Sequence, residues 1–142
     1  MDKVQVMLPL TVKNGRENWY PQLQKLIEQI AHPGLEVILH EEEGPLEEIK
    51  SAEDASLMGE YGVKAAKKAE QEGIDAVAIG CLLEPGIQEA REKVTIPVVG
   101  ALRSSFRIAN DLGDLICMVH GASKNSKSAK DIEKYIVLPR LS

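Results

Sequence analysis

The sequence predicts an α/β domain, a single three-layer sandwich on a parallel five-stranded, flavodoxin-like sheet in the order 2-1-3-4-5. Three observations carry this reading. Short apolar runs and amphipathic helical periods alternate strictly along the 142 residues, which favours parallel strands joined by right-handed crossovers. Residues 75–100, DAVAIGCLLEPGIQEAREKVTIPVVG, form a complete strand, helix, strand unit with Pro85 and Gly86 at its turn. No repeat, low-complexity segment or linker interrupts residues 1–142, and a chain of this length suits one core that buries about two thirds of its unfolded surface.

The elements follow in order. Val4, Val6, Leu8 and Leu10 alternate as a first strand, and a helix opening between Asn18 and Pro21 places Trp19, Leu23, Leu26, Ile27 and Ile30 on one face. Pro33 and Gly34 stop it. Leu35 to His40 reads as the second strand, and Ser51 with Asp54 three positions later resembles a capping box for a helix to about Glu72, stopped by Gly73. Ala76 to Ile79 is the third strand, a helix beginning at Pro85 runs to Val94, and Thr95 to Val99 is the fourth strand. Ser104 and Ser105 are expected to cap a helix closed by Gly113, Leu115 to His120 forms a fifth strand at the sheet edge, and a last helix covers about Ser128 to Val137.

Composition narrows the function. Seventeen basic against 22 acidic residues give a net charge of −5, and no stripe interleaves Lys, Arg and aromatic residues, so nucleic acid is not an expected partner. Neither a membrane span nor a signal-peptide pattern is present, which predicts a cytoplasmic protein without membrane association. The two cysteines lie 36 positions apart with no CxxC, so both are expected to be reduced thiols. His32 and His40 stand apart from the other His and Cys residues with no metal-ligand spacing, and the run Glu41 to Glu43 reads as a solvated loop.

Cys81 is the residue most suited to chemistry. It follows the third strand, where the ligand crevice of an open parallel sheet lies, and a helix starting at Pro85 would turn its positive end toward the sulfur and favour thiolate. The plainer account is a buried cysteine filling space. Cys117, among Leu115, Ile116, Met118 and Val119, reads as packing. The loops at the same edge bring Thr11 and Asn14, Ser51, and Arg103 to Ser105 as candidate substrate-binding residues. Arg103 and the amides of the helix near Ser104 suit a carboxylate or imide oxygen, although the serines serve equally as caps. His120 is a candidate acid or base, or else a solvated strand end.

DAVAIGCLLEPGIQEARE followed by IPVVG resembles the first-lobe cysteine motif of the aspartate/glutamate/hydantoin racemase superfamily, and within it looks most like the hydantoin racemase branch. EGPLEEIKSAEDASLMGEYGV and SSFRIANDLG extend the likeness over residues 35–115. The resemblance implies cofactor-independent racemases and isomerases of two similar lobes, each donating one cysteine to a shared cleft. Residues 1–142 then correspond to the first lobe plus one strand–helix unit, with Cys81 catalytic and Cys117 away from the position of the second catalytic cysteine. The first loop, LPLTVKNGRENW, differs from the Asn-Pro-Asn-Thr-like substrate loop of hydantoin racemases. The implied activity is racemase-like thiol acid/base chemistry on amino acids or hydantoin derivatives, without metal or organic cofactor, in a homodimer whose two Cys81 residues face one pocket. Two further accounts are a one-thiol decarboxylase or cis-trans isomerase, and a small-molecule binder that has lost turnover.

Overall fold

A computed structural model describes residues 2–7, 20–40, 44–46, 51–113 and 116. Among these, four parallel strands form one sheet in the order β2-β1-β3-β4. They are β1 (Asp2–Met7), β2 (Leu35–Leu39), β3 (Ala76–Ile79) and β4 (Val98–Gly100). Helices α1 (Tyr20–Ile30), α2 (Ala52–Gln71) and α3 (Ile87–Lys93) make the successive crossovers, and α4 (Ala101–Leu112) follows β4. The expected fifth strand, Leu115 to His120, and the expected last helix lie outside the described residues. One row of the sheet runs Leu39, Val6, Ala78, and the next aligns Met7 with Ile79.

Local chemistry explains the boundaries of α2. Ser51 caps it: the Asp54 amide donates to Ser51 Oγ at 3.0 Å, and the Ser51 amide donates to Asp54 Oδ2 at 2.9 Å, the reciprocal pairing of a capping box. At the other end Gly73, with φ +77°, donates to Glu70 O, and Ile74 donates to Ala69 O. That is a Schellman stop, which needs the left-handed conformation glycine adopts without strain. Ala65, Ala66 and Ala69 bring the helix close to the sheet, where Ala65 and Ala69 join Ile74 and Val77 in one buried cluster. A helix of 20 residues is about 30 Å long, whereas the four residues of β3 span about 13 Å. The first turns of α2 therefore project past the carboxyl edge of the sheet.

Two expected boundaries are corrected. β4 begins at Val98 rather than Thr95, since Pro97 has no amide to give a ladder and Thr95 is engaged elsewhere. Its amide and hydroxyl both donate to Glu70 Oε1 at 2.6 Å, which ties the end of α2 to the turn before β4 and holds the Glu70 carboxyl below its ordinary pKa. α3 begins at Ile87 rather than Pro85, after Gly86 in the left-handed region with φ +72°. Among the described residues no helix is long and apolar enough to cross a membrane.

Candidate functional site

Loops collect at the carboxyl edge of the sheet. β3 ends at Ile79, and Gly80 and Cys81 follow it there. The chain then turns: the Glu84 amide donates to the Cys81 carbonyl at 3.0 Å, and the Ile87 amide donates to the Glu84 carbonyl at 3.3 Å. Two contacts clamp this turn. Gly86 meets the backbone of Gly59 in α2 so closely that a Cβ added to Gly59 would lie 3.1 Å from the Gly86 nitrogen. Glu84 reaches the start of α4, where the Arg103 amide donates to its Oε1 at 2.8 Å and Arg103 Nε stands 2.8 Å from its Oε2. The Oε2 contact is short but poorly directed for a hydrogen bond, so it acts as an ion pair.

The Glu84 carboxylate thus does the work of a helix cap from outside the helix. The N-cap of α4 is Gly100, which has no side chain to offer, and Glu84 supplies the oxygen for the amide at the third helical position. A Cβ at Gly100 would overlap the Glu84 carboxylate in this position, so any larger residue there would displace the carboxylate. Glu84 itself is buried and adopts φ +46° ahead of Pro85, a left-handed conformation that costs a non-glycine residue about 1–2 kcal/mol.

Cys81 is half-buried and packs against the cluster of Ala66, Ile79, Ile87, Ala90, Val94 and Val98. Burial pushes its thiol pKa up, the amides of Leu83 and Glu84 oppose that rise, and the charge of Glu84 adds to it. The expected thiolate-favouring helix field is therefore corrected. α3 starts later and has seven residues, and desolvation outweighs what the turn amides of Leu83 and Glu84 contribute, so the thiol rests protonated at neutral pH.

Ser51 is the cap of α2 at the same edge. Arg103 is paired with Glu84. Ser104 and Ser105 do not precede a helix, because α4 begins at Ala101, immediately after β4. The Ser105 hydroxyl donates back to the Ala101 carbonyl at 2.7 Å, the local bond a serine makes inside a helix. Thr11, Asn14, Cys117 and His120 lie outside the described residues.

Two residues at this edge were not singled out by the sequence. Glu84 looked like one acidic residue in a turn, and the available signal was its place between a strand-end cysteine and Pro-Gly. His40 follows β2 directly and is buried, with Nε2 3.1 Å from Tyr61 Oη and the rings edge to face at 6.0 Å. Burial first, and then the nearby Tyr20, raise the Tyr61 pKa. Among the described residues no three His, Cys, Asp or Glu side chains gather as metal ligands would.

A family model described as Asp/Glu/Hydantoin racemase matches residues 13–131. Over 50 residues the chain is 44% identical to a hydantoin racemase from Pseudomonas sp. (strain NS671), a stretch equal to 35% of this chain and 20% of that relative. Allantoin racemase from Klebsiella pneumoniae superposes with a TM-score of 0.65 at 21% identity, covering 78% of this chain and 44% of its own. That likeness is one of fold. The chain thus matches less than half the length of either relative.

Proposed function

Because the chain belongs to the Asp/Glu/hydantoin racemase family, we propose that it is a cofactor-independent racemase or isomerase of amino acids or hydantoin derivatives, with the Cys81 thiol as its acid/base group. The observation that carries this is the placement of Cys81 just past the carboxyl end of β3, in a turn clamped to both α2 and α4. In the forward step the Cys81 sulfur, as thiolate, takes the α-proton, and the C–H electron pair moves into the adjacent carbonyl as an enolate. Inversion requires a proton delivered to the opposite face. In this reading it comes from Cys81 of the partner subunit in a dimer. Thr11, Asn14, Ser51, Arg103, Ser104 and Ser105 are the candidates to hold the substrate's carboxylate or imide oxygen, with Arg103 sharing its guanidinium with Glu84.

The raised thiol pKa favours a second reading, a one-thiol enzyme in which Cys81 acts as proton donor. There a C–C bond breaks with loss of carbon dioxide, the electron pair passes to an enolate, and the Cys81 S–H delivers its proton to carbon. Incubation in deuterium oxide separates the accounts. The racemase reading expects α-hydrogen exchange together with inversion for a hydantoin or a free amino acid, without added pyridoxal phosphate or metal, from a dimeric protein. Release of carbon dioxide with one deuterium placed on the carbon it leaves, from a monomer, would favour the one-thiol reading. Neither exchange nor inversion across hydantoins, aspartate and glutamate would remove the racemase proposal.

A further inference from the structure

We infer that Glu84 is a positioning residue of the thiol site: paired with Arg103, its buried carboxylate fixes the Cys81 turn onto the first turn of α4. The inference rests on the reading of Cys81 as the reacting thiol. Its own support is geometric. An ionised carboxylate whose side chain is only 2% exposed is costly to bury unless it is paired and hydrogen-bonded. Here the pairing is made by Arg103 Nε and the Arg103 amide, both at 2.8 Å, and room for it is left by a residue with no Cβ at position 100. The backbone accepts left-handed φ at Glu84 as part of the same arrangement. A simple surface turn needs none of these features, and strain held by surrounding structure is a mark of a constrained site.

The buried cluster against which Cys81 packs is apolar throughout: Ala66 of α2, Ile79 of β3, Ile87 and Ala90 of α3, Val94, and Val98 of β4. Burial is the first cause that disfavours thiolate, and the negative Glu84 carboxylate adds to it. Neutralising Glu84 therefore removes that repulsion, so the thiolate fraction at pH 7 rises. The gain in rate is smaller than the gain in thiolate, because intrinsic nucleophilicity falls as thiol pKa falls, with a Brønsted slope of about 0.4–0.5.

The test follows iodoacetamide alkylation against pH in a Cys117→Ser parent, where Cys81 is the only thiol. Glu84→Gln keeps an oxygen for the Arg103 amide and is expected to alkylate about two- to fivefold faster at pH 7, with its profile moved to lower pH. Should that variant be too unstable, Glu84→Gln with Arg103→Met replaces the pair without leaving a charge buried alone, and it too is expected to react faster than the parent. Folded variants with the parent's rate and profile would overturn the inference. So would failure of both variants to fold, which would make Glu84 a purely structural residue. Alkylation reports on the thiol whether or not substrate turns over, so a protein without racemase activity still tests Glu84. An unchanged profile beside intact exchange would sink this inference alone.

Discussion

Cys81→Ala is expected to abolish α-hydrogen exchange, with a loss of at least about 10²- to 10⁴-fold, the contribution of a positioned acid/base group. The fold should survive. The side chain is half-buried at the rim of its cluster, so losing one sulfur costs about 1 kcal/mol, the centre of the range for point substitutions. Exchange followed by mass spectrometry, beside a thermal melt, checks both halves of the expectation. Cys117→Ser is the comparison that should leave exchange in place. Retention of exchange in Cys81→Ala would end the thiol mechanism, whatever the family.

Gly86→Ala should destabilise the protein by about 2–5 kcal/mol. Two costs combine. A non-glycine residue at φ +72° bears about 1–2 kcal/mol, and its Cβ would lie 2.6 Å from the Cα and 2.8 Å from the carbonyl carbon of Gly59. Those are helix backbone atoms with no rotamer to change, so relief requires moving α2 or the cysteine turn, a further cost of about 1–3 kcal/mol by analogy with overpacked cores. Against a typical total stability of about 5–15 kcal/mol, the shift should be plain in urea unfolding. Gly73→Ala separates the two costs, because Gly73 has φ +77° but nothing within 4 Å of its added Cβ. Equal losses for the two variants would show that the Gly59–Gly86 approach contributes nothing.

The parts of the fold legible in the sequence were those with local causes. The third strand, Ala76 to Ile79, was bounded correctly by its apolar run alone, and α2 was bracketed by a capping box and a glycine stop that act within a few residues. Boundaries set by distant partners were not legible. Gly100 begins a helix without a capping side chain of its own because Glu84 caps it across 19 positions, so the serines further along drew the expectation to the wrong place. The same reason hid Glu84 as a site residue. Its significance lies in Gly100 and Arg103, and nothing in its immediate neighbours points to them. The pairing of His40 was not legible because its partner Tyr61 lies 21 positions away on α2. Cys81 was placed correctly after β3, but its resting protonation was misjudged, since the apolar groups that desolvate it come from α2, α3 and β4.

The strand order has a consequence for the integrity of the crevice. β1 is made first, yet it lies between β2 and β3, and it reaches the second of these across a separation more than twice that to the first, Val4 pairing with both Val37 and Ala76. Closing the longer loop adds only about 0.6 kcal/mol per doubling of length, so the arrangement costs little to assemble. It is nevertheless vulnerable at one end. Among the described residues β2 has no ladder partner except β1, so a proteolytic cut that released residues 2–7 would leave the His40 side of the sheet without a strand ladder to the Cys81 side, the two then held together through α2 and its Tyr61 contact to His40.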